Sequence, residues 1–140
     1  MFKHILVVCD GNICRSPLAA FLLSETTGRA VESAGIIGLE GHDMDEVMRD
    51  LAAESGMTFP PHVARRLNQA MCRSADLILV MEKRHQEWFL QHFPEVTGKV
   101  MLLGHWLNKE IPDPYKKSHA VYQLVIRLIR EAVATWTPKL

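Results

Sequence analysis

The hydrophobic residues of this chain form short, uninterrupted runs that are separated by longer stretches of mixed character. Runs at 5–8, 76–81 and 100–104 are rich in Val, Ile and Leu, as expected of strands buried on both faces of a parallel sheet. Residues 30–35 predict a further short strand that ends at a glycine. The pattern therefore predicts four strands, and the first of them stops at Cys9.

Longer stretches with apolar residues at helical spacing lie between and after these runs. Ser16 and Pro17 are interpreted as an N-cap and a first helical residue, and Asp43 with Glu46 matches a capping box. Beyond Ser118 the apolar side chains repeat with the period of an amphipathic helix. The predicted helices cover 18–23, a segment from Asp43 toward Gly56, a short segment before Cys72, 82–93 and the segment after Ser118.

Strands that alternate with helices predict the α/β class. We expect one three-layer domain over residues 1–140, with a four-stranded parallel sheet and helices on both faces. A chain of this length can bury a substantial core without disulfides or metals. Ligands of such sheets bind at the carboxyl ends of the strands, which is where Cys9 is predicted to lie.

Residues 9–17 are predicted to form a phosphate-binding loop between the first strand and the first helix. Backbone N–H groups of a tight turn at Gly11, together with the helix dipole, form an anion site and stabilise a thiolate on Cys9. The planar guanidinium of Arg15 can hold two phosphoryl oxygens. This combination predicts covalent phosphoryl transfer. The alternative is an inert buried cysteine, which the strand before the loop and the Ser-Pro after it disfavour.

Composition narrows the possible functions. The 16 basic and 16 acidic side chains cancel, which disfavours a nucleic-acid binder or a membrane binder that works by bulk charge. Three cysteines do not form a disulfide framework, and the sequence has no signal-peptide pattern or long apolar span. We therefore expect a cytoplasmic protein without direct membrane insertion. The histidine spacing matches no zinc site, so no metal or cofactor is expected.

The run from Cys9 to Pro17 resembles the signature loop of the low-molecular-weight protein tyrosine phosphatases: Cys, any residue, Gly-Asn, two residues, Arg-Ser-Pro. A second segment, Ile-Pro-Asp-Pro-Tyr at 111–115, resembles the general-acid loop of the same family. On the pattern alone, Asp113 is more simply a turn aspartate between prolines. The two segments occur in the family's order, and the resemblance extends over nearly the whole chain.

The resemblance implies phosphotyrosine hydrolysis through a phosphocysteine on Cys9, with Arg15 binding phosphate and Asp113 acting as general acid and then base. It also implies a network of polar side chains that holds the loop in a strained shape: Asn12, Ser16, Ser33 and His62. The residues expected to contact the phosphate or the substrate ring are Asp10, Gly11, Asn12, Ile13, Cys14, Ser16, Leu39 and Tyr115.

The expected walls of the cleft favour an aromatic substrate. By the resemblance Ile13 faces the ester side, where relatives specialised for phosphoarginine carry threonine. Tyr115 is expected to form the opposite wall, and Leu39 a third side where many relatives have a larger aromatic residue. We expect selectivity for phosphotyrosine over phosphoserine and phosphoarginine, with weak binding of isolated phosphotyrosine.

Several features leave alternatives open. Asp10 stands where the family usually carries an apolar residue. A negatively charged side chain beside Cys9 disfavours the thiolate form of Cys9, unless the carboxylate points into solvent. A catalytically weak phosphoresidue-binding module is therefore one alternative. Arsenate reduction on the same fold is another, although Cys72 is the only cysteine outside the loop for the relay it needs. Cys14 either closes a reversible disulfide with oxidised Cys9 or is simply a small buried residue.

Three stretches most resemble the bacterial branch of the family associated with capsule and exopolysaccharide export: 81–85, 104–106 and 111–118. That branch acts on the tyrosine-rich tails of a membrane-bound tyrosine autokinase. The resemblance therefore implies a phosphotyrosine protein substrate of this kind as the partner.

Overall fold

Strands and helices alternate along the chain, and the structure, a computed structural model, describes residues 2–140. The strands are β1 (Ile5–Cys9), β2 (Val31–Gly35), β3 (Leu77–Val80) and β4 (Val100–Leu102). The helices are α1 (Arg15–Thr27), α2 (Glu46–Glu54), α3 (Gln69–Ser74), α4 (Lys83–His92) and α5 (His119–Trp136). Short 3₁₀ helices cover Pro94–Lys99, His105–Leu107 and Thr137–Lys139.

The strands form one parallel sheet in the order β2-β1-β3-β4, which confirms the predicted sheet. In the register of this sheet, Cys9 pairs with Gly35 of β2, and Val8 pairs with Val80 of β3. The connection after β1 leads to β2 on one side of it, and the chain later forms β3 on the other side. Connections that diverge in this way leave a crevice beyond the carboxyl end of β1. Cys9 lies at that end of the strand.

Both faces of the sheet are covered, as the three-layer prediction requires. Ile5 and Val7 of β1 belong to a core with side chains of α1, α2 and α5, whereas Leu6 and Val8 face Cys72 and the α4 side. This alternation follows from the period of two along a strand, and all five residues of β1 are buried. Across residues 2–140, no helix combines the length and the hydropathy needed to cross a membrane.

Two predicted helix starts were wrong. α1 begins at Arg15, and Ser16 lies buried in its first turn instead of capping it, because the Ser16 hydroxyl bonds across the loop. The N-cap of α2 is Asp45, whose carboxylate accepts the backbone N–H of Met48. Asp43 instead accepts the backbone N–H groups of Met44 and His62 and a guanidinium N–H of Arg49, so it does not cap the helix.

Candidate active site

The loop between β1 and α1 is built around the buried side chain of Asn12. Its φ of 62° lies in the left-handed region, which non-glycine residues adopt only when their surroundings hold them there. The Asn12 Nδ2 group donates to Ser16 Oγ at 2.8 Å and to Ser33 Oγ at 2.9 Å. The backbone N–H of Arg65 donates to Asn12 Oδ1 at 2.9 Å. These bonds use the polar atoms of the amide and fix the turn.

A second segment, 62–65, supports the loop from outside. His62 Nε2 lies 2.7 Å from the carbonyl oxygen of Asn12. On the β2 side, a Cβ atom at Gly35 would lie 2.5 Å from the carbonyl oxygen of Asp10. Only glycine allows this close approach of the loop to β2. The Asp10 carbonyl oxygen also accepts the N–H groups of Ile37 and Gly38, which tie the loop after β2 to the same edge.

Cys9 lines a cleft of about 170 Å³ at this edge of the sheet. Its thiol is 2% exposed, and its Sγ lies 2.9 Å from Ser16 Oγ, so this hydroxyl can donate to the sulfur. The other residues that line the cleft are Asp10, Gly11, Ile13, Cys14, Arg15, Ile37, Leu39, Asp113 and Tyr115. Asn12 and Ser16, which were also expected to contact the phosphate or the substrate, are not among the residues that line this cleft. Ser33 and His62, which were predicted to support the loop, do not line it either and contact Asn12 instead.

The guanidinium of Arg15 is 1% exposed and connects three parts of the site. Nη1 donates to Glu82 Oε2 at 2.6 Å and to the Ile111 carbonyl at 2.8 Å, and Nη2 donates to Asp10 Oδ2 at 2.9 Å. Burial disfavours the charged guanidinium, but the negative charge of the Cys9 thiolate and of Glu82 outweighs burial and raises the pKa of Arg15. Arg15 therefore stays a cation beside Cys9.

The carboxylate of Asp10 does not point freely into solvent. Both of its oxygens accept from Arg84, at 3.0 and 2.5 Å, and Oδ1 lies 3.1 Å from His85 Nε2. Burial favours the protonated acid, but hydrogen bonds from His85 and Arg84 outweigh it and hold the pKa of Asp10 well below its usual range. The negative charge beside Cys9 is therefore balanced locally by cations.

One group of side chains in residues 2–140 has the spacing of a metal site. Ligand atoms of Asp10, Glu82 and His85 lie within 4.8 Å of one another. The carboxylates of Asp10 and Glu82, however, accept guanidinium N–H groups from Arg15 and Arg84. Two resident cations occupy the place that a metal ion needs, so the chemistry of this cluster is that of an ion-pair network.

The loop that carries Asp113 is anchored to the end of β3 and to Arg15. The N–H of Ile111 donates to the carbonyl of Met81, just beyond β3, at 2.9 Å, and the Ile111 carbonyl accepts from Arg15. The backbone N–H of Tyr115 donates to Asp113 Oδ1 at 3.1 Å, which leaves the other oxygen available to the cleft. Tyr115 is 40% exposed at the rim.

Cys14 is a buried thiol near Cys9. Burial first, and then the negative charges of Asp45 and Cys9, raise the pKa of Cys14 well above its usual range. A protonated thiol is a slow nucleophile, so this environment opposes rapid formation of a disulfide with oxidised Cys9. The proposed redox role of Cys14 stays a prediction.

Sequence reasoning did not identify four residues that contact the site: Ile37, Glu82, Arg84 and His85. The last three follow β3 directly, and charged residues at the carboxyl end of a buried parallel strand are the signal that could have indicated them. Ile37 is 65% exposed beside the cleft, where an apolar side chain can contact a ligand. No periodicity marks it, because it lies in a loop.

We expect Asn12→Ala to lower the free energy of unfolding by about 2–4 kcal/mol. The change leaves a left-handed backbone without its supporting amide and removes the partner of Ser16, Ser33 and the Arg65 N–H. Urea unfolding measures the effect. As a control, Ser33→Ala removes one of these bonds and should cost about 0.5–1.5 kcal/mol. A loss for Asn12→Ala no larger than for Ser33→Ala would contradict the central place of Asn12.

The fold and the loop define a class: an α/β protein with a cysteine and a buried arginine in the loop beyond its first strand. A family model described as low molecular weight phosphotyrosine protein phosphatase matches residues 4–140. The chain belongs to this family and is a protein-tyrosine-phosphatase by class.

Individual relatives agree with this assignment. Over 142 residues the chain is 46% identical to the low molecular weight protein-tyrosine-phosphatase Wzb of Escherichia coli K12, covering 100% of this chain and 97% of Wzb. The crystal structure of the Erwinia amylovora tyrosine phosphatase AmsI superposes with a TM-score of 0.96 at 44% identity, covering 100% of this chain and 94% of AmsI. The structure of Vibrio vulnificus Wzb in complex with benzylphosphonate superposes with a TM-score of 0.95 at 41% identity, covering 100% of both chains.

Proposed function

We propose that this enzyme hydrolyses phosphotyrosine through a phosphocysteine on Cys9. The observation that carries the proposal is the cleft in which the Cys9 thiol, the Arg15 guanidinium and the Asp113 carboxyl line one small space. These groups are a nucleophile, an anion clamp and a proton donor. Cys9 and Arg15 come from one loop, whereas Asp113 comes from a segment far along the chain, so their meeting is more specific than either motif alone.

In the first step, the Cys9 thiolate attacks phosphorus and the bond from phosphorus to the tyrosine oxygen breaks. Asp113, protonated, gives its proton to the departing phenolate. Three of the five N–H groups of Arg15 have partners among residues 2–140, and the remaining two lie on Nε and Nη2. That edge is available to hold two phosphoryl oxygens as negative charge develops on them.

In the second step, the Asp113 carboxylate takes a proton from water, and the resulting nucleophile attacks the phosphocysteine. The bond from sulfur to phosphorus breaks, and inorganic phosphate and the Cys9 thiolate are released. The Ser16 hydroxyl, 2.9 Å from Sγ, stabilises the thiolate as leaving group. Asp113 ends the cycle protonated and ready for another substrate.

The walls of the cleft support an aromatic substrate. Ile13, Leu39 and Tyr115 line it together with Ile37. Stacking of the substrate ring on Tyr115 contributes about 0.5–1.5 kcal/mol beyond burial. Phosphoserine has a shorter side chain that cannot reach the buried Cys9 sulfur while its backbone stays outside. The related Vibrio vulnificus Wzb binds benzylphosphonate, which is also an aromatic ring linked to a tetrahedral anion.

Selectivity among phosphopeptides tests this proposal. One peptide sequence carrying phosphotyrosine, phosphoserine or phosphoarginine is compared at equal concentration, with phosphate release as the readout. We expect kcat/KM for phosphotyrosine to exceed the other two by at least about 100-fold, because only its ring fills the apolar walls. Similar values for phosphoserine, or a preference for phosphoarginine, would contradict the assigned roles of Ile13 and Tyr115. Binding without turnover would favour a phosphoresidue-binding module.

We also infer that the physiological substrate is the phosphorylated tail of a membrane-bound tyrosine autokinase. This inference rests on the likeness to the capsule and exopolysaccharide branch of the family. The cleft has one aromatic wall, Tyr115, and the apolar Ile37 and Leu39 at its rim, so much of the affinity for a protein tail has to come from residues that flank the phosphotyrosine.

A further inference from the structure

Four charged side chains beside the cleft form a closed ring of alternating sign, Arg15, Asp10, Arg84 and Glu82, which we call the charge ring. Arg15 Nη2 and Arg84 Nη2 lie 2.9 and 2.5 Å from Asp10 Oδ2. Arg15 Nη1 and Arg84 Nη2 lie 2.6 and 2.9 Å from Glu82 Oε2. Two cations and two carboxylates cancel, so the charge ring is neutral although it contains the proposed phosphate clamp.

The position of Arg15 does not depend on Asp10 alone. Glu82 and the Ile111 carbonyl both accept from Nη1, and the guanidinium is almost completely buried. The loss of the Asp10 charge therefore leaves Arg15 with two of its three partners. The larger change is electrostatic, because a carboxylate that lines the cleft disappears.

His85 links Asp10 to α4 without adding charge. Its Nδ1 accepts the backbone N–H of Glu82 at 3.1 Å, so the ring proton lies on Nε2, which donates to Asp10 Oδ1. Asp10 stays ionised in this setting, because its pKa is held well below the usual range. Arg84 contacts both carboxylate oxygens of Asp10, and its side chain is 54% exposed at the surface next to the cleft.

We propose that Asp10 and Arg84 act as opposed charges that set the affinity of the cleft for phosphate. Asp10 repels a bound phosphate dianion, Arg84 attracts it, and the neutral charge ring favours release of inorganic phosphate after each turnover. The idea rests on the proposed function, in which phosphate binds against Arg15. It assigns a benefit to the acid at this position, because without Asp10 the product would leave from beside a charge ring with a net positive charge.

A double-mutant cycle that removes the two charges singly and together tests the proposal by calorimetric titration of the enzyme with inorganic phosphate. Asp10→Asn makes the charge ring positive and should tighten phosphate binding about tenfold, whereas Arg84→Gln makes it negative and should weaken binding about tenfold. The double variant restores neutrality and should bind within about twofold of the unmodified enzyme. All differences should shrink at high ionic strength, because salt screens partly exposed charges.

Two controls keep the result interpretable. Lys83→Gln removes an exposed cation on the same helix but outside the charge ring, and its effect should be smaller than that of Arg84→Gln. Asp10→Ser provides a second neutral side chain if Asp10→Asn folds poorly, which thermal unfolding reports. Weaker binding in every variant, independent of salt, would mean that Asp10 only positions Arg15 and would overturn the proposal. Unchanged binding would overturn it too.

Failure of the proposed function gives a different result. If the unmodified enzyme binds no phosphate, the cleft is not the phosphate site and the roles of Cys9 and Arg15 are wrong. If it binds phosphate and the two single variants do not move the affinity in opposite directions, only the charge-ring proposal fails.

Discussion

Replacement of Cys9 by serine is expected to lower turnover of an aryl phosphate by at least about 10⁴-fold. A serine hydroxyl has nearly the same shape as a thiol, but at neutral pH it supplies almost no anionic nucleophile. The loop N–H groups and Arg15 remain in place, so phosphate binding should persist. Initial rates and a phosphate titration of Cys9→Ser measure the two effects separately.

Cys72 provides the matched control for this change. It is a buried thiol on the other side of the sheet, and burial first of all raises its pKa to about 11. Its thiol is therefore protonated at neutral pH, and Cys72→Ala should retain a turnover within about twofold of the unmodified enzyme. Turnover that survives in Cys9→Ser would remove the nucleophile from the mechanism. A large loss in Cys72→Ala would instead indicate a relay of the kind used in arsenate reduction.

The second large effect is expected for Asp113→Asn. The amide cannot protonate the departing phenolate, so kcat/KM should fall by about 10²–10³-fold for phosphotyrosine. For an activated nitrophenyl ester, whose leaving group needs no proton, the loss in kcat/KM should stay below about tenfold. Because kcat/KM reports the first chemical step, the comparison isolates the acid role of Asp113 from its role as base.

An exposed aspartate separates this effect from a general change in charge. Asp50 lies on the surface of α2, and Asp50→Asn should leave kcat/KM for both substrates unchanged. Equal losses on phosphotyrosine and the nitrophenyl ester in Asp113→Asn would show that Asp113 is not the proton donor. The loop geometry would then have to serve substrate positioning, since Ile111 ties it to Arg15.

The sheet and its order of elements could be predicted from sequence because buried parallel strands leave long apolar runs. β1 and β3 were predicted to within a residue or two, since each is buried along its whole length. Helix starts were less predictable. Ser16 is of a residue type that commonly caps helices, but its hydroxyl bonds to Cys9 and Asn12 instead of to the helix N-terminus. Only the folded loop shows which of these partners the hydroxyl takes.

The residues of the cleft could be predicted from sequence motifs. The charge balance of the cleft could not, because it depends on contacts between residues that are far apart in the sequence. Asp10 could be identified as an unusual residue in the loop, but its effect depends on Arg84 and His85, which are distant in sequence. These partners reach Asp10 because β1 and β3 are neighbours in the sheet. The sequence shows that residue 10 is an acid. Which cations lie beside it depends on which strands are neighbours in the sheet, and that follows only from the folded structure.

The proposed mechanism requires the phosphoryl group to be bound covalently to Cys9 during each turnover. In Asp113→Asn the first step should stay fast with a nitrophenyl phosphate, whose leaving group needs no proton, while hydrolysis of the intermediate is slowed because the base is absent. This variant is mixed rapidly with the substrate, and the reaction is stopped by denaturation of the protein. We predict a burst of nitrophenol that approaches one equivalent per enzyme and a phosphoryl group on the peptide that contains Cys9. The absence of a burst together with unmodified Cys9, or phosphate on another residue, would contradict the account.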